Sequence, residues 1–367
     1  MALPVFRPTV KRKDMGSVLS CIVSDRLGPG EISRDLASRL CHLLGHAGGV
    51  TLASSYLAVS AALEALGLAA PDGVILPALA PAAWLRVLRD RGLVPLVADV
   101  DPESGSLDPA RVSELVSRGA KAIMVPHTAG IIVDVEALRV HGLPIVEDAS
   151  AALGGKNGET PCGSLADICL LSMDPESIVT CGGGAVVLGR SRQTAAALRR
   201  IQEGSPLYSP MPDMNAALGI SQVAALDTFV QVRREVASAY RQALLKSRHK
   251  ALTQKNDAEP VLGSFPVVLA SGMKDVRTYA LKKNVDTLPA FAGSLAALGS
   301  SAEDSSRPAG AAAEAAPADE PAADVESPAA ACPNARSLAL RCLLFPLYPM
   351  LGKRDVEAVC RVLSTMP

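Results

Sequence analysis

The sequence predicts an α/β protein with a mostly parallel central sheet, followed by a smaller α+β region. Three observations predict it. Between residues 70 and 190, short apolar runs alternate with helix-length stretches separated by polar or small-residue turns. The runs are continuous rather than alternating in polarity, as strands covered by helices on both faces must be. The chain is also long and apolar enough for a large core, with 367 residues, 49% hydrophobic and 20% charged, a length that suggests about two domains.

The elements follow in order. Strands are expected over residues 73–76, 93–98, 122–125, 144–146, 168–171 and 185–188, with helices over 81–91, 108–118 and 134–141. Open parallel sheets bind ligands beyond the carboxyl ends of their strands, which draws attention to Pro77, Asp99, His127, Asp148 and Ser172. Residues 214–246 carry apolar positions at helical spacing and read as long helices leaving the first domain. A second region then adds a strand over 265–269, a helix over 274–283 and a final amphipathic helix over 355–363. The expected division is a large domain over 1–245 and a small one over 246–367.

Residues 300–331 interrupt the second region with 13 Ala, four Pro, seven acids, one Arg and no aromatic residue. Such a segment buries too little apolar surface to offset its ordering entropy, so it is expected to be a disordered insertion. It carries −6 and leaves the rest of the −1 chain at +5, a mildly basic balance suited to a small anionic ligand. A near-zero overall charge and 3% aromatic content argue against a nucleic-acid binder. No apolar run approaches the roughly 20 residues that span a bilayer, and basic residues near the N-terminus precede no apolar core of a secretory signal. The expectation is a cytoplasmic protein. Eight scattered cysteines without a CxxC pair read as reduced thiols, and His42 and His46 near Cys41 form only a weak metal pattern, so no metal is expected.

Several strings carry a resemblance. They run from Ser24-Asp25-Arg26-Leu27-Gly28-Pro29-Gly30 through Asp99-Val100-Asp101-Pro102, Val125-Pro126-His127-Thr128-Ala129-Gly130 and Val146-Glu147-Asp148-Ala149. They continue with Ser172-Met173-Asp174-Pro175, Gly182-Gly183-Gly184, Cys332-Pro333-Asn334-Ala335 and Phe345-Pro346-Leu347-Tyr348-Pro349. In this order they resemble the nucleotide-sugar aminotransferases of the DegT/DnrJ/StrS type, pyridoxal-phosphate (PLP) enzymes of fold type I related to aspartate aminotransferase. The resemblance implies a three-layer PLP-transferase-like large domain, PLP as cofactor, a nucleotide sugar of polysaccharide or amino-sugar biosynthesis as ligand, and a homodimer.

Carried over position by position, the resemblance places Asp148 against the cofactor's pyridine nitrogen and Ser172 against its phosphate. Ser54 and Ser55 fall in the phosphate turn at the start of a helix, a natural anion site. The departures are equally specific. Ser177 stands where the family has its Schiff-base lysine, and a hydroxyl forms no imine. No lysine lies between Lys156 and Lys246, and no histidine between His141 and His249, so neither the aminotransferase lysine nor the histidine of related dehydratases is supplied nearby. Ser55 and Tyr56 replace Gly and Thr in the phosphate turn; Ala151 replaces a glutamine, Pro81 an aromatic residue, and Tyr208 an asparagine that serves the neighbouring subunit. Gly182 to Gly184 lack the GxGxxG spacing of a nucleotide cradle and read as a tight turn between adjacent strands.

Two functions follow. One is a family member that has lost transamination and binds a ligand or partner. The other is an active aminotransferase or pyridoxamine-dependent dehydratase, with Asp174, Glu176 or His127 as candidate proton carriers, although His127 reads as structural. The acidic insertion would serve a third, an assembly subunit, as an interaction tail.

Overall fold

The computed structural model describes residues 2–298 and 329–367. The insertion expected over 300–331 therefore lies, apart from its last three residues, outside the described residues.

Two helices, α1 (Arg12–Val23) and α2 (Glu31–Leu44), lead into β1 (Gly48–Leu52), α3 (Ser55–Ala65), β2 (Gly73–Pro77), α4 (Ala82–Asp90) and β3 (Val94–Ala98). Next come α5 (Pro109–Ser117), β4 (Ala120–Pro126), α6 (Val135–Arg139), β5 (Ile145–Asp148) and a small hairpin of β6 (Lys156–Asn157) and β7 (Thr160–Pro161). β8 (Ile168–Ser172), β9 (Ala185–Gly189), α7 (Arg192–Glu203), α8 (Asp213–Val223) and α9 (Leu226–Leu244) complete this half. The remainder contributes β10 (Lys250–Ala251), β11 (Ala258–Glu259), β12 (Phe265–Val268), α10 (Met273–Lys282), β13 (Leu288–Pro289), α11 (Pro333–Arg341), β14 (Cys342–Phe345) and α12 (Lys353–Thr365).

The seven-stranded sheet has the order β1-β9-β8-β5-β4-β2-β3. The five strands from β8 to β3 run parallel, while β9 is antiparallel to both β8 and β1. Alternate residues face opposite layers: Leu76, Met124 and Val146 pack with α3 and α4, while Ile75, Ile123 and Ile145 pack with α5 and α6. Both faces are buried, which gives the three layers and explains the continuous apolar runs. A second, wholly antiparallel sheet has the order β10-β12-β14-β13, and β11 joins the β6-β7 hairpin in a third.

All six expected strands form. The stretch expected as long helices over 214–246 divides at Ala224 and Ala225 into α8 and α9. Two features differ from expectation. β1 was not anticipated, because Gly48 and Gly49 open it and only Val50, Thr51 and Leu52 are buried. The triple glycine joins two adjacent strands as read, but as the end of a twelve-residue connection over 173–184 rather than a tight turn. Its three glycines take φ of 75°, 138° and 89°, and a Cβ on Gly184 would lie 2.9 Å from the Leu52 carbonyl oxygen.

Two tethers set the second sheet against the first. Asp99, just after β3, accepts from the backbone N–H groups of Asn334 (3.1 Å) and Ala335 (2.9 Å), capping α11 from far along the chain. Arg233 of α9 is buried and donates to the carbonyls of Leu262, Gly263 and Leu347 at 3.1, 2.9 and 2.6 Å. Burial pulls its guanidinium down to about 10. These bonds pin the segment that carries Gly263 and Ser264 into position opposite the strand ends.

Candidate functional site

A cavity of about 330 Å³ lies beyond the carboxyl ends of β4, β5 and β8. Pro126, His127 and Thr128 form one wall, Asp148, Ser150 and Ala151 the floor, and Asp174, Glu176, Ser177 and Ile178 another wall. Gly263, Ser264, Ala290, Phe291 and Leu344 close it from the side of the second sheet, and Phe6 from the N-terminal arm. This is where an open parallel sheet offers a ligand site.

Asp148, the last residue of β5, accepts at Oδ1 from the Ser150 backbone N–H (2.9 Å) and from the Ser150 hydroxyl. That hydroxyl accepts in turn from the backbone N–H of Ser172 at 2.7 Å, which ties the ends of β5 and β8 together. Burial pushes the Asp148 carboxyl above its ordinary value, against the hydrogen bonds from Ser150.

Ser172, Ser55 and Asp174 form a relay. The Ser55 hydroxyl donates to the Ser172 hydroxyl at 3.2 Å, and the Ser172 hydroxyl donates to the Asp174 carboxylate. Burial raises Asp174; it also raises Glu176, to which the Asp174 charge adds. Ser54 is engaged elsewhere, its hydroxyl accepting from the Leu57 N–H (3.3 Å) as the N-cap of α3. Neither Ser54, Ser55 nor Ser172 lines the cavity. Ser177 does, half-buried, with its backbone N–H on the Asp174 carbonyl at 3.0 Å. No lysine or arginine is among the lining residues that the structure describes.

Ala151 and Pro81 are on the cavity wall, whereas Asp99 is committed to α11. The Tyr56 hydroxyl donates to Asp90 at 2.6 Å, so its ring turns to the end of α4, and Tyr208 is 79% exposed. His127 touches the cavity with both ring nitrogens already used: the Val133 N–H donates to Nδ1 (3.1 Å), so the proton sits on Nε2 and donates to Glu147 Oε1 at 2.8 Å. Of the three proton-carrier candidates, Asp174 and Glu176 remain turned to the cavity.

Glu147 Oε1 also accepts from the Gly163 N–H at 2.6 Å and faces the Cys162 thiol at 3.8 Å. His127, Glu147 and Cys162 offer ligand atoms within 4.8 Å of one another, alone among the described residues. Burial and Glu147 hold the Cys162 thiol far above its ordinary value, and the trio reads as a hydrogen-bonded piece of core. The His42 and His46 pattern does not form, because α2 ends at Leu44; His42 is exposed, and buried His46 bonds the Gly163 carbonyl through Nε2 at 2.7 Å.

The wall residues Ser150, Ser264, Phe6 and Phe291 were not anticipated. Ser150 had a local signal, since an Asp followed two residues later by Ser forms an Asx-type turn. The other three had none, because only the second sheet and the N-terminal arm bring them in.

PLP brings a phosphate, a pyridine nitrogen and an aldehyde to be held. Asp148 suits the nitrogen. The remaining set does not fit: Ser177 offers no amine, and the hydroxyl of Ser172, where the resemblance puts the phosphate, already bonds a carboxylate whose charge opposes that group.

A sequence profile described as the DegT/DnrJ/EryC1/StrS aminotransferase family matches residues 8–364. Among solved structures, the PLP form of Spr1654 from Streptococcus pneumoniae is 18% identical, covers 99% of this chain and 98% of its own, and has a TM-score of 0.85. The aminotransferase TlmJ from Streptoalloteichus hindustanus is 23% identical over 99% of this chain and 98% of its own, with a TM-score of 0.83. DesV from S. venezuelae, solved with a ketimine intermediate, is 23% identical over 96% and 93%, with a TM-score of 0.81. At these identities the structures establish a shared fold. No helix among the described residues is long and apolar enough to cross a membrane.

Proposed function

The chain belongs to the DegT/DnrJ/EryC1/StrS aminotransferase family, and from that membership we propose that it is a non-transaminating member, which binds a small ligand in the cavity between its two main sheets and forms no Schiff base with PLP. The observation that carries this reading is Ser177 on the cavity wall together with the lack of any lysine among the lining residues that the structure describes. Transamination needs an amine that condenses with the cofactor and then moves a proton, and a serine hydroxyl does neither.

The cavity residues support ligand binding. Asp148 is held by Ser150, Ser150 is held by the Ser172 backbone, and the opposite wall is pinned through Arg233, so the polar groups are fixed before a ligand arrives. Family membership makes a sugar-type ligand the natural class. A homodimer belongs to the same reading, supported by the exposed apolar side chains Met15, Leu19, Ile22 and Val23 of α1.

The retained Asp148 favours a second reading, an atypical aminotransferase or dehydratase of a keto nucleotide sugar with Asp174 or Glu176 as proton carrier. The two are separated by incubating the purified chain with PLP, glutamate and a panel of 3-keto and 4-keto nucleotide sugars. The first reading expects no 2-oxoglutarate above a no-protein control; stoichiometric or faster formation, or loss of the sugar by dehydration, establishes the second.

A further inference from the structure

We propose that Asp174 is a specificity-determining residue that refuses phosphate esters at this cavity. Its carboxylate takes, from within the chain, the corner at the start of α3 where an anionic ligand group would be held, so the chain selects ligands whose end toward β8 carries no negative charge. The proposal rests on the ligand-binding reading above and names the class of ligand refused and the residue that refuses it.

The corner attracts an anion. α3 is an 11-residue helix, and the backbone N–H groups of its first turn have no acceptor earlier in the helix. The hydroxyl and carbonyl of Ser54 serve the N–H groups of Leu57 and Ala58, at 3.3 and 3.1 Å, which leaves Ser55 and Ser172 to offer hydroxyls there.

The anion in place is Asp174. Ser55 donates to Ser172 at 3.2 Å and Ser172 donates to the carboxylate, so both hydroxyl protons lie on one path that ends at Asp174. The Ser172 N–H is also taken, by the Ser150 hydroxyl at 2.7 Å. Asp174 lines the cavity whereas Ser55 and Ser172 do not, which puts the carboxylate between the ligand space and both hydroxyls.

The backbone holds this carboxylate where it is. Met173 is fully buried and donates its N–H to the Gly184 carbonyl at 2.9 Å. Its own carbonyl accepts from the N–H groups of Cys181 (2.9 Å) and Gly183 (3.1 Å) and from the Thr180 hydroxyl (3.1 Å). On the other side, the Ser177 N–H closes a turn on the Asp174 carbonyl at 3.0 Å. A phosphate approaching the hydroxyls therefore meets a fixed negative charge, in a half-buried place where like charges repel more strongly than in water. A hydroxyl at the same end of a ligand meets no such penalty.

The test is calorimetric titration of the full chain at neutral pH with pyridoxamine 5′-phosphate and with pyridoxamine, which differ only by the phosphate and, as amines, form no imine with any lysine. Wild type is expected to bind the ester no more tightly than pyridoxamine. Asp174→Ala, shown to be folded by its circular dichroism and cooperative melt, is expected to bind the ester about ten-fold or more tightly than wild type does, with pyridoxamine changed less than about three-fold. Adding Ser172→Ala is expected to abolish that gain, because the phosphate then loses the freed hydroxyl. Glu176→Ala, which removes a charge from the same wall, is expected to give less than about a three-fold gain. Tighter binding of the ester than of pyridoxamine by wild type overturns the proposal, as does no gain in Asp174→Ala. An equal gain for pyridoxamine, an equal gain in Glu176→Ala, or a gain that survives Ser172→Ala overturns it too. A lysine adduct formed with PLP instead overturns the non-transaminating reading and leaves these amine titrations as they are.

Discussion

The hydroxyl of Ser172 donates to the carboxylate of Asp174 two residues further on, and the Ser55 hydroxyl donates to Ser172 from the start of α3. A hydroxyl that the family resemblance assigns to a phosphate is thereby turned to an internal anion. Ser177, at the position where the resemblance puts a lysine, and the Ser172 hydroxyl, turned to Asp174, are separate features at and beyond the end of one strand, and each has its own consequence.

If both matter, restoring the amine alone is insufficient. Ser177→Lys is expected to retain PLP at least ten-fold more weakly than Ser177→Lys/Asp174→Ala, which also removes the opposing charge. Visible absorbance after gel filtration from excess PLP reads the difference. Equal retention by both variants contradicts a role for Asp174 in excluding phosphate.

The cavity acids also set a pH dependence. Burial places the folded-state values of Asp148, Asp174 and Glu176 above their ordinary 3.8, 3.8 and 4.5. A carboxyl raised in this way binds its proton more tightly folded than unfolded, so its unfavourable contribution grows as pH rises from the ordinary value through the folded one. Asp174→Asn and Glu176→Gln are therefore expected to raise the melting temperature at pH 7 and to leave it nearly unchanged at about pH 3. Melts across that range check this; a fall in stability at pH 7 contradicts it.

His127 illustrates a wall residue whose work is in the core. His127→Ala leaves Glu147 buried without the Nε2 donor and the Val133 N–H without its acceptor, an expected loss of about 3 kcal/mol. Urea unfolding measures it, and a loss below about 1 kcal/mol shows that the pair contributes little.

The exposed face of α1 gives the dimer prediction. Met15, Leu19 and Val23 are 62%, 58% and 77% exposed at four-residue spacing. Leu19→Asp is expected to convert a dimer to monomer in light scattering at micromolar concentration without lowering helicity. A dimer unmoved by Leu19→Asp, or a wild-type monomer, removes this face from the account.

The parallel strands were legible because burial on both faces leaves continuous apolar runs, as in Ile123, Met124 and Val125. The direction of β9 was not, since a buried strand has the same composition either way up, and β1 hid behind its two glycines. Ser177 was legible by its place after Ser172, Asp174 and Pro175, whose order is fixed in sequence. The hydrogen bond between Ser172 and Asp174 was not, because it depends on how the chain turns after β8. Ser264 and Phe291 reach the cavity only when β12 and β13 pair with β14, and nothing in the local sequence reports that.

The most direct measurement is titration of the purified chain with PLP, followed by borohydride reduction and peptide mapping. The account predicts no saturable imine absorbance and no reduced adduct on a specific lysine. A stoichiometric adduct on one lysine contradicts it and identifies the amine that completes the site.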